Sequence, residues 1–176
     1  FDQVRKKLDR FLTYYPVTVV LPIPHIKWLI WIDEETGELT DKRKSPKKGN
    51  AYEAFRELYK IKQYLNKDGL TIKLLFLDME EYRLLNGWSK DKKKGSCRYD
   101  RIPVQMVDEI TLSCPQDYMQ LLPETLPDTF TCAEFAKLVT IPTKRANVVL
   151  HVLHYLNVVE RIGKKGNAYI YKAAEY

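Results

Sequence analysis

Residues 131–171 constrain this chain more than any other stretch. They hold two runs of helical periodicity separated by a turn with one proline, then two β-rich runs around a glycine-bounded basic loop. Thr131 with Glu134 three positions on forms a capping box, in which each side chain satisfies an orphan amide of the first helical turn. Phe135, Leu138 and Val139 follow at helical spacing as one apolar face. Pro142 ends that helix, because its ring disfavours helical geometry in the residue before it. Thr143 is then the natural N-cap of a second helix. In that helix Val149, Val152, Leu153 and Leu156 recur at i, i+3, i+4 and i+7 and turn inward. The opposite face carries Lys144, Asn147, His151 and His154, with Arg145 at the edge of the buried face. Residues 158–162 and 168–172 are expected to be the strands of a hairpin. The Gly-Lys-Lys-Gly-Asn loop between them reverses the chain on its glycines and presents Lys164 and Lys165 at its tip.

This order resembles a winged helix-turn-helix, similar to those of bacterial DNA-binding regulators. The resemblance implies that the second helix enters the major groove while the hairpin lies near the backbone. It makes Thr143, Lys144, Arg145, Asn147 and His151 candidates for nucleic-acid contact, and Lys164 and Lys165 candidates for phosphate. Double-stranded DNA is the expected partner and RNA the second choice. Domains of this kind also dock proteins, so a protein-interaction module stays open as an alternative.

Charge is consistent with an anionic partner: 29 basic against 23 acidic residues give a net +6 and a pI near 9.1. Cys97, Cys114 and Cys132 are far apart, without a C-x-x-C pair, which suggests neither a zinc site nor a disulfide framework. Reduced thiols in a cytoplasmic protein are the simplest account. There is no leader-like segment and no apolar run long enough to span a bilayer, so no membrane partner is expected. The chain opens on Phe1 rather than Met, which suggests a piece of a longer protein.

Upstream, residues 1–15 read as an amphipathic helix with Phe1, Val4, Leu8, Phe11 and Tyr15 on one side. Residues 17–23 form a β-branched run that Pro22 and Pro24 should stop. Residues 28–32 are continuously apolar, as for a strand covered on both faces. Residues 33–38 read as a hairpin turn with Gly37 in the left-handed region, and 39–44 as the returning strand. Asn50 and Glu53 repeat the capping logic for a helix whose buried stripe is Ala54, Leu58, Ile61 and Leu65. Residues 71–77 are a further strand, ending at Asp78, Glu80 and Glu81, and Asn86-Gly87 is a turn. Residues 88–101 read as a polar, basic loop, and 104–112 as a strand or helix. Residues 113–130, with Pro115, Pro123 and Pro127, read as a short helix between extended links. The expected fold class is α/β, a mixed sheet with flanking helices, plus a C-terminal winged helix-turn-helix. The expected division is 1–112, a linker at 113–130, and 131–176.

The order of elements in the first part resembles the core of the restriction-endonuclease-like fold. That likeness implies an acid on the second core strand, an acid-x-Lys pair on the third, and Mg²⁺ to activate water. Here the matching positions are Asp33, Asp41 with Arg43 in place of the lysine, and Glu57 on the following helix. A metal-dependent nuclease is therefore an alternative reading, and Mg²⁺ enters only with it; otherwise no cofactor is expected. The competing reading makes Asp33, Glu34, Glu35 and Glu38 a solvated hairpin tip. His151 and His154 are spaced like metal ligands, but no third ligand stands out. Asp78, Glu80 and Glu81 are expected to be a solvated strand end rather than a metal site.

Two basic groups, Lys42, Arg43, Lys44, Lys47, Lys48 and Lys90, Lys92, Lys93, Lys94, Arg98, Arg101, the latter flanked by Trp88 and Tyr99, are either strand-binding surfaces or solubilising charge. The Ser-Pro-Lys-Lys-Gly run at 45–49 resembles one shared by uncharacterised bacterial proteins, and the likeness implies no function. The leading expectation is a bacterial nucleic-acid-binding protein whose winged helix positions an α/β domain.

Overall fold

A computed structural model of the chain describes residues 2–88 and 94–175. The chain is of the α/β class. In order come helix α1 (Asp2–Phe11), strands β1 (Val17–Ile32) and β2 (Arg43–Lys44), helix α2 (Phe55–Lys60), and the long strands β3 (Leu70–Trp88) and β4 (Lys94–Leu112). A 3₁₀ segment, Pro115–Leu121, leads to strand β5 (Phe130–Thr131), helices α3 (Cys132–Leu138) and α4 (Thr143–Tyr155), and strands β6 (Val159–Lys165) and β7 (Ala168–Ala173). The first four strands form one sheet in the order β2-β1-β3-β4, and the last three a second in the order β5-β7-β6.

Two compact units emerge, and neither is one continuous stretch. One comprises residues 1–21, 51–74 and 110–176, the other residues 22–50 and 75–109. The first holds α1, α2, the helix pair α3–α4 and the second sheet. Its core is built from Leu8, Phe55, Leu58, Ile61, Phe130, Phe135, Val149, Leu150 and Leu153, all sealed from solvent. The second unit contains no helix among the described residues, and its buried apolar residues are few: Ile23, Ile30, Phe76 and Met79.

β1 runs through both prolines instead of stopping at them. Pro24 accepts a hydrogen bond from the Gly49 amide at 2.9 Å. Carbonyl and nitrogen of one strand residue share a side, so the missing donor of Pro24 lies on the side where Gly49 docks. Gly49 is required at this contact, since a Cβ there would stand 2.3 Å from the Pro24 carbonyl oxygen. The 45–49 run is thus docked along β1, with the Ser45 amide donating to the Lys27 carbonyl at 2.8 Å. Residues 28–32 are not covered on both faces: only Ile30 is buried and its neighbours are half-exposed.

The turn at 33–38 forms as expected, with Gly37 at φ +73 and its amide bonded to Asp33. The returning strand shrinks to a bridge between Ile32 and Leu39 and the two residues of β2. The Trp31 amide bonds the Thr40 hydroxyl at 3.0 Å rather than a backbone carbonyl, which breaks the ladder. The expected helix over 50–65 is α2 flanked by 3₁₀ turns at Ala51–Glu53 and Lys62–Tyr64, yet its stripe of Ala54, Leu58, Ile61 and Leu65 is buried as expected. α1 is shorter than 1–15. Of the described residues on the expected face it buries Leu8, while Phe11 and Tyr15 are exposed; Phe1 lies outside the described residues.

β3 passes straight through Asp78, Glu80, Glu81, Asn86 and Gly87, where a strand end and a turn were expected. The acids remain in the strand because each has a partner. His25 Nδ1 donates to Asp78 at 2.9 Å, Lys42 pairs with Glu80, and Glu81 is ringed by Arg83, Arg101 and Lys27. The expected basic loop is strand from 94 onward; Lys90, Lys92 and Lys93 lie outside the described residues. No helix among the described residues is long and apolar enough to cross a membrane.

Candidate nucleic-acid interface

The helix pair is set by its two ends and one turn. Thr131 and Glu134 close the capping box at the start of α3: the Thr131 amide donates to the Glu134 carboxylate at 2.7 Å. At the far end Thr140 takes φ +54, its amide bonds Lys137 and the Ile141 amide bonds Ala136. This is a Schellman closure with a β-branched residue at the left-handed position. It buries Ala136 and Ile141 with Phe135, and leaves Leu138, expected on the buried face, 39% exposed. Pro142 rather than Thr143 is the N-cap of α4 and contributes no side-chain bond; its carbonyl accepts from the Arg145 and Ala146 amides. α4 ends in a second Schellman closure, with Asn157 at φ +60 and the Val158 amide bonded to Leu153.

α4 is buried over a wider arc than a single apolar stripe. Ala146 and Leu150 are sealed along with Val149, Val152, Leu153 and Leu156, because α3 packs on one side and α2 on another. This sorts the sequence candidates. Thr143, Lys144 and Asn147 are exposed. Arg145 is half-buried, its guanidinium 3.7 Å from the Glu53 carboxylate. His151 is turned inward: it accepts from Lys62 Nζ at 2.8 Å and packs on the Tyr59 ring at 5.1 Å between centroids. Burial, followed by the charges of Lys62, Arg161 and His154, holds its imidazole below the ordinary value, so it is a neutral acceptor rather than a surface cation. His154 donates from Nδ1 to the Val159 carbonyl at 3.1 Å.

The hairpin turn is tighter than expected. β6 and β7 pair up to Lys165 opposite Ala168, so Gly166 and Asn167 alone make the turn, with Gly166 at φ +61. Lys164 and Lys165 are strand residues and face opposite sides. Lys164 lies over the Tyr169 ring at 4.9 Å and shares it with Arg161 at 4.2 Å. Lys165 stands close enough to Glu134 that its charge, after the Thr131 amide and hydroxyl, helps hold that carboxyl below its ordinary value.

A groove of about 650 Å³ opens at the start of α4, lined by Tyr52, Glu53, Arg56, Pro142, Lys144, Arg145 and Val148. Three cations and one carboxylate border it. Arg56 and Arg161 escape the sequence reading. Arg56 is two positions from both Ala54 and Leu58, so the helical stripe already placed it on the outer face; nothing in the sequence put that face beside α4.

The carboxylates singled out for metal chemistry have other work. Asp33 caps its own turn, accepting from the Glu35 and Thr36 amides at 2.9 Å, and the Thr36 amide, then that of Glu35, pulls its carboxyl below the ordinary range. Asp41 and Arg43 are exposed. Glu57 is 3.1 Å from Lys60 on its own helix and belongs to the other compact unit. Among the described residues no three His, Cys, Asp or Glu side chains gather as a metal site. The described residues do not fit Mg²⁺.

A family described as Domain of unknown function (DUF8091) matches residues 1–113 of the chain. An uncharacterized protein of Treponema pallidum (strain Nichols) is 25% identical over 141 residues, covering 77% of this chain and 53% of that protein, so the chain spans about half the length of the relative. No solved structure matches.

Proposed function

The chain belongs to the DUF8091 family of domains of unknown function, and from that premise we propose that it is a nucleic-acid-binding protein that docks on duplex DNA through residues 130–173. The family match ends at residue 113, ahead of the helix pair, so the reading rests on that segment's own residues. In support, helix, tight turn, helix and hairpin follow in the order of a winged helix-turn-helix, with β5 closing the sheet against β7.

The observation that carries the proposal is the groove at the start of α4. Lys144 and Arg56 are exposed there, and Arg145 is held by the long pair to Glu53. In this reading the first turns of α4 approach the major groove, with Thr143, Lys144 and Asn147 toward base edges or phosphate. Arg145 and Arg56 meet the backbone, and Lys164 with Arg161 forms a second phosphate contact on the hairpin. His151 positions Lys62 and touches no nucleic acid.

Fluorescence anisotropy with a labelled duplex at several salt concentrations tests this. Affinity should fall linearly on a log–log plot as salt rises. Lys144→Ala should weaken binding across sequences and make the slope shallower by about one. Absence of binding, or an affinity indifferent to salt, removes the proposal. A single-stranded RNA competitor decides between the two nucleic acids.

A further inference from the structure

Residues 42–48 hold five cations, Lys42, Arg43, Lys44, Lys47 and Lys48, and no acid. Lys42 pairs with Glu80. The other four are exposed and make no ion pair among the described residues. A solubilising run has no need of a fixed backbone, yet this one is pinned to β1 at two points. The Ser45 amide donates to the Lys27 carbonyl at 2.8 Å, and the Gly49 amide to the Pro24 carbonyl at 2.9 Å. The second contact admits glycine alone, since a Cβ would stand 2.3 Å from the carbonyl oxygen. Between these anchors the Ser45 hydroxyl, on a buried residue, accepts from the Lys47 amide at 3.3 Å. Lys47 and Lys48 therefore stand on a backbone held in one place.

Beside these cations β1 supplies an aromatic wall. Lys44 stands opposite Trp28 in the register of β1 and β2, and its Nζ lies 5.9 Å from the ring centroid, the outer limit of a cation–π contact. Trp28 is half-exposed and borders a cavity of about 280 Å³ with Lys42, Asp78, Glu80, Val104 and Gln105. Both carboxylates there are engaged: Asp78 accepts from His25 Nδ1 and the Ile26 amide, and Glu80 from Lys42 and the Tyr82 hydroxyl. Charge that tracks a backbone beside an aromatic face is how proteins hold single-stranded nucleic acid. We propose that Trp28 and residues 42–48 form a single-strand nucleic-acid site, in the other compact unit from the α4 groove. One base stacks on the Trp28 indole within the cavity, and Lys44, Lys47 and Lys48 hold the phosphates that lead from it. Arg43 lies on the opposite face of β2 and stays outside the site. A duplex keeps its bases stacked on each other and has none to give Trp28. A lipid surface would meet the cations but leave the cavity beside the indole without an occupant.

Anisotropy with a labelled oligothymidylate about a dozen nucleotides long tests the site, with circular dichroism confirming that each variant is folded. Binding should weaken as salt rises. Lys44→Ala, Lys47→Ala and Lys48→Ala together should weaken it roughly tenfold at low salt and make the log–log salt slope shallower by about two, at about 0.7 per phosphate on a single strand. Trp28→Leu should weaken binding roughly tenfold and leave the slope unchanged, since it removes stacking and no charge. Lys144→Ala should leave oligothymidylate binding as it is, whatever it does to duplex binding. An oligonucleotide that does not bind overturns the proposal. So does binding that survives either the triple variant or Trp28→Leu, and so does a loss in Lys144→Ala as large as that of the triple variant, because the strand then lies in the α4 groove. Phosphatidylserine vesicles that sediment the parent but not the triple variant, with the oligonucleotide unbound, would overturn it in favour of a lipid surface.

Discussion

Glu81 is 2% exposed and surrounded by cations: Arg83 Nη1 donates to one carboxylate oxygen at 2.7 Å, Arg101 to the other at 2.8 Å, and Lys27 Nζ stands 3.7 Å away. Arg83 is itself fixed by the Ser96 hydroxyl and carbonyl. Burial pushes the Glu81 carboxyl up, but the hydrogen bond from Arg101 and the charges of Lys27 and Arg101, with Arg83 behind them, outweigh it and hold the group below its ordinary 4.5. Its ionised form therefore contributes stability that is complete above the unfolded carboxyl value and is lost as pH falls through the lower folded one. Glu81→Ala leaves three cations facing each other in a half-buried site and should cost about 3 kcal/mol at neutral pH, read from the urea midpoint. The gap between variant and parent should stay constant down to about pH 5 and narrow in stronger acid. A gap that is independent of pH would show the loss to be packing rather than charge. The acid row at 78–81 signalled carboxylates in the sequence, but not that one of them is buried, because two of the three cations around it, Lys27 and Arg101, come from β1 and β4.

The turn between α3 and α4 carries the clearest local strain. Thr140 holds φ +54, where a β-branched side chain crowds its own backbone, at a position most helices give to glycine. Thr140→Gly should stabilise the chain by about 0.5 to 1 kcal/mol, net of the greater freedom glycine has when unfolded. For a chain of this size that raises the melting temperature by about 2–4 °C per kcal/mol, measurable by scanning calorimetry. If the variant melts lower, the Thr140 side chain is making a contact that outweighs the strain. Elements whose determinants are local were legible in sequence: the Thr131–Glu134 box, the turn at 33–38, and the buried stripes of α2 and α4. Those set by neighbours were not. Pro24 of β1 looks like a strand breaker until the side it faces is known. Lys164 and Lys165 look like a loop tip until pairing is seen to continue to Ala168. The contact face of α4 looked open because α2, some ninety residues earlier, does not announce that it packs there. That packing is why His151 moves from candidate contact to interior support while Arg56 joins the groove.

At the scale of the whole chain, the compact unit holding α4 draws on residues 1–21 and 51–74 as well as 110–176. Its joints are specific. The Tyr52 hydroxyl donates to the Leu121 carbonyl at 2.7 Å, the Tyr52 ring meets Phe135 edge-on at 5.8 Å, and α2 lies on α4. A fragment ending at residue 113, where the family match stops, keeps Phe55, Leu58 and Ile61 but loses α4. Fully burying side chains of this kind is worth about 1.5–3 kcal/mol each, so exposing three of them takes most of the 5–15 kcal/mol by which a domain is typically stable. The fragment 1–113 should therefore bind a hydrophobic dye and melt without a sharp transition, followed by circular dichroism beside the full chain. A fragment that melts cooperatively within a few degrees of the parent would mean that α2 has another cover and that the contacts of Tyr52 with Leu121 and Phe135 are incidental to stability. In that case α4 and the hairpin would be a module attached to a self-sufficient domain, and Arg56 would no longer be bound to the α4 groove by the fold itself.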